Sequence, residues 1–451
     1  MAAEPMSITR AMAHRSVFLL IAEYGRRALG FFGRDFSLVL SSNVIYYACQ
    51  WGLVVVLAKL GTPADVGAYA LGIAVTAPIL MFASFQQRNL VASDVREEYS
   101  FNDYITFRIV SLAIAMILIC GISTFTQATL SNVLIISLVG LAQTSEYVSE
   151  TYFGLLQKHS RLDRVSLSLA LKGPLCLISV GLIMWATHNV LWAVVALVLT
   201  RYLVLFCFDV PSAHMAFGPH GLAWNWRTQH KLFLTSLPLG VIVGLGGFTL
   251  NIPRYFIEYF LNKKDLGIFS ALASLIGAGN LVMAALGSCI IVEMAKAWVR
   301  HDGRAYRSLF LRFIGVSALI GTAGVVLALV GGARLLSVLF RPEYAGNAGV
   351  LARIMAAGAL GYVVCAQGYT LTAARKLLHQ IPALAGSAAV TGLSCWILIP
   401  KRGLAGAAES WLLGSLFLLA CNAVLLARMN VEMDRVAAWK GQTLATALEK
   451  E

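Results

Sequence analysis

Leu261-Asn262-Lys263-Lys264-Asp265-Leu266-Gly267-Ile268-Phe269-Ser270 is a second version of Gly61-Thr62-Pro63-Ala64-Asp65-Val66-Gly67-Ala68-Tyr69-Ala70, two hundred residues further on. Asp and Gly keep their places, and like replaces like around them. The loop that follows repeats as well. Tyr104-Ile105-Thr106-Phe107-Arg108 opens an apolar run much as Ser308-Leu309-Phe310-Leu311-Arg312 opens another, with a short insertion between the two pairs of landmarks. Two matches in register point to duplication of a whole unit.

Working outward, each turn is flanked by apolar runs of about 20 residues, the length a helix needs to cross roughly 30 Å of hydrocarbon. Composition agrees: of 451 residues 59% are hydrophobic and only 13% charged, whereas a soluble domain has about a quarter charged. Six spans are expected in the first half, at Phe36 to Ala58, Val66 to Gln86, Ile105 to Phe125, Asn132 to Gly154, Val165 to Ala186 and Val190 to Val210. Six follow at Leu232 to Pro253, Leu266 to Ile290, Leu309 to Gly331, Gly346 to Ala373, Gln380 to Pro400 and Leu404 to Ala427. The expected organisation is therefore a basic interfacial segment over 1–35, a six-helix bundle over 36–210, a linker over 211–231, a second bundle over 232–427 and a tail over 428–451.

The opening residues do not read as a secretory signal, because the apolar run Val17 to Ala22 is short and Glu23 ends it. Ile8 to Arg34 reads instead as a basic interfacial helix. With the N-terminus inside, 22 Lys and Arg fall on the cytoplasmic side and 8 on the other, and five lie within spans. That bias places both termini in the cytoplasm. No outer loop exceeds about 14 residues, so a periplasmic domain is excluded. The net charge of +13 is dispersed between spans and not gathered on one face, which argues against nucleic acid. Eight cysteines sit singly in apolar runs, and no HExxH, HxxxH or GxxxxGK[ST] pattern occurs, so no metal, cofactor or ATPase motor is expected.

Both halves start inside and hold six spans, the parallel-repeat arrangement of an alternating-access transporter with its site between the halves. Charges within the membrane are then the candidate site residues, since each costs at least about 2.5 kcal/mol to insert. Arg108 and Arg312 sit a turn from a cytoplasmic helix end and read as snorkelling. Glu146 lies about 12 Å, and Lys172 about 10 Å, from the cytoplasmic ends of antiparallel neighbours, matching depths that suit an ion pair. Gln143, Glu146 and Glu150 share one face, so Glu146 and Glu150 are also candidates for proton or cation coupling. Arg201, about 16 Å into its span, has no acid at i±3 or i±4, leaving anion binding and an interhelical bond as alternatives. Arg353 lies in the outer half of span 10, and Arg254 falls at or just past the end of span 7. Arg88 reads as an interface anchor or a headgroup contact. The polar faces Asn43, Tyr47, Gln50 and Ser270, Ser274, Gly277 serve packing or line a cavity.

At Asp65-Val66-Gly67-Ala68-Tyr69, from Asn251-Ile252-Pro253-Arg254-Tyr255 to Gly267-Ile268-Phe269, and at Leu339-Phe340-Arg341-Pro342-Glu343-Tyr344-Ala345, the chain resembles the polysaccharide-exporter branch of the multidrug/oligosaccharidyl-lipid/polysaccharide transporter superfamily. These are the Wzx-type flippases, and the resemblance covers nearly all of Ser37 to Arg428. It implies an all-α membrane fold of two MATE-like six-helix bundles, a cationic central cavity and no catalysis. It further implies a cargo of undecaprenyl-diphosphate-linked oligosaccharide bound for O-antigen, capsule or exopolysaccharide, with membrane lipids and a polysaccharide polymerase as partners. Asn251 and Pro253 stand where family members often carry an acid ahead of the span 7 arginine, which argues against acid-based coupling there. Substrate contacts are then expected from Arg254, Arg201, Lys172, Arg353 and Arg88. A MATE-like cation antiporter is the first rival and calls for a cavity rich in carboxylates. A polymerase or ligase is the second, and it calls for a large outer loop.

Overall fold

A computed structural model describes residues 34–448 apart from 95–96, 127–128, 219–220, 301 and 375–376; the basic segment up to residue 33 lies outside the described residues. All regular structure among them is helical, because a backbone in lipid must satisfy its own N–H and C=O groups. The first half runs α1 (Arg34–Leu60), α2 (Pro63–Ser84), the short α3 (Gln87–Ser93), α4 (Phe101–Thr126), α5 (Leu130–Lys158), α6 (Leu162–Thr187) and α7 (Val190–Val204). A π-turn over Leu205–Asp209 joins α7 to α8 (Val210–Phe217). The second half runs α9 (Trp226–Phe260), α10 (Lys263–Ser274), α11 (Ile276–Val299), α12 (Gly303–Leu339), α13 (Pro342–Ala345), α14 (Ala348–Ala373), α15 (Gln380–Arg402) and α16 (Leu404–Leu448).

Eleven of the segments are long and apolar enough to cross a membrane, and the expected span at α5 falls outside that set. Its polar run Gln143, Thr144, Ser145, Glu146, Ser149, Glu150 explains why. Two spans differ from expectation in shape. The eighth is broken at Leu275, where the amide bonds back to the Leu272 carbonyl, an i to i−3 contact that tightens the turn. The seventh continues through Pro253 to Phe260, so Arg254 belongs to the helix and not to an outer loop.

The duplication is visible in the packing. α1 packs on α6, α2 and α4 on α5, and α5 and α6 on α7; in the second half α9 packs on α15, α11 and α12 on α14, and α14 and α15 on α16. The two repeated turns meet at the centre of this arrangement. Thr62 and Asp65 form a capping box at the start of α2, and Asn262 caps α10 through the Asp265 amide. A Cβ on Gly67 would overlap the Lys263 carbonyl oxygen, and a Cβ on Gly267 would overlap the Pro63 carbonyl oxygen. Each contact is the other shifted by two hundred residues. The helix starts therefore cross about a local two-fold axis, backbone against backbone, and only glycine fits there. Arg341 adds a second tie at this end by donating Nε and Nη2 to the Lys59 carbonyl at 3.2 and 3.0 Å. Beside it Tyr344 is sealed, and burial pushes its hydroxyl up to about 12.

The two seams between the halves are unequal. Along one, Gly240, Gly244 and Gly247 of α9 let Phe85, Phe82 and Met81 close against the helix, and the Tyr255 hydroxyl donates to the Ala74 carbonyl. The pseudo-equivalent seam, α1 against α10 and α11, is thin. Val44 and Tyr47 on α1 and Val282 on α11 stay exposed.

Candidate functional site

Glu146 on α5 is the hub of a buried polar network in the first half. It accepts from the Tyr46 hydroxyl on α1 at 2.9 Å and from Lys172 Nζ on α6 at 3.3 Å. Arg201 Nε on α7 lies 3.3 Å from its Oε1, an ion pair without hydrogen-bond alignment. The depth match between Glu146 and Lys172 read from the sequence thus brings them into contact. Arg201 pairs across helices, the second of the two alternatives; Nη1 also donates to the Ala142 carbonyl and Nη2 to Gln50 Oε1, both at 3.2 Å. Its neutralising acid is on another helix, which explains why no sequence neighbour revealed it.

Lys172 has a second carboxylate partner, Asp209 Oδ2 at 3.1 Å, and donates to Ser149 Oγ at 2.9 Å. Ser149 and Ser168 both donate to Asp209, which is fully buried. Asp209 was missed by the sequence reading, and helix geometry shows why. At about 100° per residue, eight positions past Arg201 put a side chain about 80° off that face. The π-turn absorbs one residue, shown by the Val210 amide bonding to the Leu205 carbonyl, and returns Asp209 to within about 20°. The available signal was an acid inside an apolar run at a depth a buried lysine could reach.

Arg108 does not snorkel. It is fully buried, with Nε donating to Thr151 Oγ1 at 2.9 Å and Nη1 to the Ala83 carbonyl at 3.4 Å. The local reason is that α4 is covered by α2 and α5, so the headgroup region is out of reach. Arg312, its repeat counterpart, is exposed.

Arg353 does not project as an unpartnered cation. It lies half exposed, 3.3 Å from Glu409 Oε1, and Arg402 holds Oε2 at 2.8 Å. Arg88 is half-buried, its Cζ 5.7 Å from the Phe153 ring centroid, while Lys172 Nζ is 5.5 Å from the same centroid. Among the described residues no carboxylate pairs with Arg88, and Glu150, one turn from Glu146, makes no hydrogen bond or ion pair. Gln143 reaches α2 instead, donating to Thr76 Oγ1 at 2.7 Å.

Arg254 differs from Arg201 in its partners. Nη1 donates to Asn251 Oδ1 at 2.6 Å and Nε to Ser270 Oγ at 3.3 Å, both neutral. Among the described residues no carboxylate reaches it; Glu258, one turn further along α9, has a buried Oε2 without any hydrogen-bond partner. The residue sits where the halves meet, with Ser270 one turn inside Gly267. Arg254 is therefore a guanidinium between the halves that is held by hydrogen bonds to neutral groups, with no carboxylate in ion-pair range among the described residues.

This fold, with parallel six-helix halves meeting at a two-fold crossing and charge placed between them, is that of the multidrug/oligosaccharidyl-lipid/polysaccharide transporter superfamily. A multidrug-resistance MATE transporter in its inward-facing conformation matches 89% of this chain and 99% of its own with a TM-score of 0.70 at 13% identity. The lipid II flippase MurJ, inward closed, matches 88% and 89% with a TM-score of 0.68 at 10% identity. The chain belongs to the polysaccharide biosynthesis protein family, whose model matches residues 56–346. It is 27% identical over 320 residues to the capsular polysaccharide biosynthesis protein CapF of Staphylococcus aureus, covering 70% of this chain and 78% of that one. It is a multi-pass membrane protein of polysaccharide biosynthesis on a transporter fold, and its fold relatives are transporters and a flippase, not enzymes.

Proposed function

We propose that the protein is a flippase that carries undecaprenyl-diphosphate-linked oligosaccharide across the bacterial inner membrane by alternating access, with both termini in the cytoplasm. The carrying observation is Arg254, a guanidinium between the halves held, among the described residues, by neutral Asn251 and Ser270. A diphosphate offers such a group charge-assisted, bidentate bonds. Arg88, in no ion pair among the described residues though Glu150 feels its charge, is the second contact, on the first half. Lys172 and Arg201 are committed to Glu146 and Asp209 and serve the fold, while Arg353 is occupied by Glu409.

Two physical requirements support the reading. Sugar hydroxyls stripped of water without replacement bonds cost several kcal/mol each, so the headgroup needs a polar path. The isoprenoid tail needs the opposite, and the thin seam between α1 and α11 leaves apolar side chains such as Val44 and Val282 open on that side. The cation-antiporter alternative needs unpaired carboxylates to dominate the cleft; Glu150, which makes no ion pair among the described residues, has the charges of Arg108 and Arg88 beside it.

The test is translocation in cells, read as lipid-linked oligosaccharide retained on the cytoplasmic face. Arg254→Ala is expected to block it and Arg254→Lys to leave a partial defect, because lysine keeps the charge and loses the planar fork. Normal translocation by Arg254→Ala at normal abundance removes this residue from the site.

A further inference from the structure

We infer that Asn251 is a specificity-determining residue, holding Arg254 in place while leaving its charge free for an anionic ligand. The inference rests on the reading of Arg254 as the anion contact and adds what makes that arginine fit for the role. Asn251 is buried, and its amide has a defined direction: Nδ2 donates to the Gly247 carbonyl at 2.8 Å, so Oδ1 faces Arg254 Nη1 at 2.6 Å. A carboxylate in this position would have the same shape and accept the same bond from the arginine. It would also set an oxygen against the Gly247 carbonyl and cancel the guanidinium charge. The first half contains that second arrangement, Arg201 beside Glu146. One residue type is thus used in two ways, neutralised in α7 and cationic in α9, and the partner decides which.

Ser270 reinforces the arrangement from the opposite helix. Its Oγ accepts from Nε, so two sides of the guanidinium are anchored by neutral oxygens, one on α9 and one on α10. Among the described residues Nη2 has no protein partner. The ligand this geometry suits is a phosphate or diphosphate ester, which presents paired oxygens to a guanidinium edge. A protonated amine would be repelled by it.

The experiment uses full-length protein in nanodiscs and farnesyl diphosphate as the probe, with inorganic pyrophosphate and phosphatidylglycerol as separate arms. Tighter binding of the prenyl diphosphate than of pyrophosphate identifies a lipid carrier, and equal binding identifies a free phosphate; either is an anion site. Saturation by phosphatidylglycerol alone assigns the arginine to bulk lipid and overturns the inference. Asn251→Asp is expected to weaken probe binding at least about tenfold and to flatten its dependence on salt. Asn251→Ala, which removes the anchor and keeps the charge, is expected to lose less and to keep the salt dependence. Equal loss in the two variants overturns the inference, since a merely structural asparagine predicts it. If Asn251→Asp does not accumulate, Ser270→Asp places the carboxylate on the other side of the guanidinium, and binding as tight as wild type there overturns it too. Arg254→Ala separates the two levels: wild-type binding by this variant sinks the proposed function itself, whereas loss in Arg254→Ala with full binding in Asn251→Asp sinks only the role of Asn251.

Discussion

Arg108 and Arg312 open matching helices of the duplicated halves, yet Arg108 is sealed against Thr151 and the Ala83 carbonyl while Arg312 is exposed. The contrast extends to the rest of each half. In the first, Glu146, Lys172, Asp209 and Arg201 tie α5, α6 and α7 together with the π-turn that follows, and Tyr46 and Gln50 bring in α1. Among the described residues of the second, the comparable ionic cluster, Arg353, Glu409 and Arg402, lies toward the surface. Duplication preserved helix order, packing partners and the central crossing. It did not preserve where charge is buried. One half thereby gained a polar core suited to hold four helices as a unit, and the other holds Arg254 by neutral partners, the cation proposed above as the anion contact.

The largest expected effect lies in that polar core. Lys172→Met leaves the buried Asp209 and the half-buried Glu146 with too few cations, and breaking the buried Lys172–Asp209 pair costs about 3 to 5 kcal/mol. Thermal unfolding in detergent should show the loss; a melting curve close to wild type would mean that water enters the network. Combining Lys172→Met with Asp209→Asn should recover part of the stability, because the uncompensated charge is then gone.

The crossing should behave symmetrically where the charges do not. Gly67→Ala and Gly267→Ala each place a methyl on the facing backbone carbonyl, so both should spread the helix starts and to the same degree. Spin labels on either side of the crossing would report a longer distance in both variants. A change in one only would show that the local two-fold does not govern this contact.

The smallest effects should separate the two arginines of the opening contrast. Arg108→Ala removes buried hydrogen bonds and packing, with an expected loss of about 1 to 3 kcal/mol. Arg312→Ala and Arg353→Ala, both solvent- or lipid-facing, should change stability by less than about 1 kcal/mol. Equal losses at positions 108 and 312 would contradict the burial contrast.

Much of the architecture was legible beforehand because the bilayer imposes it. About 20 apolar residues per crossing locate the spans of the first half to within a few positions, while helices of the second such as α9 and α12 overrun theirs by about two turns, and the Asp-Gly turns announced the repeat without showing that its copies meet there. Depth along a helix is a one-dimensional quantity, so counting residues sufficed to pair Glu146 with Lys172. Rotation about the helix axis is a different matter. Asp209 reaches Lys172 only because the π-turn re-aims it, and Arg108 stays inside only because α2 and α5 cover it. Arg353 meets Glu409 and Arg201 meets Glu146 across helices that are neighbours in space but distant in the chain. The sequence by itself determined where most of the membrane helices lie and that they are duplicated, since hydrophobicity acts locally. The tertiary structure alone decided which of the membrane-embedded charges are neutralised and which stays available, because that depends on what faces each side chain in a low-dielectric interior, where a partner a few ångströms away changes the energy by kilocalories.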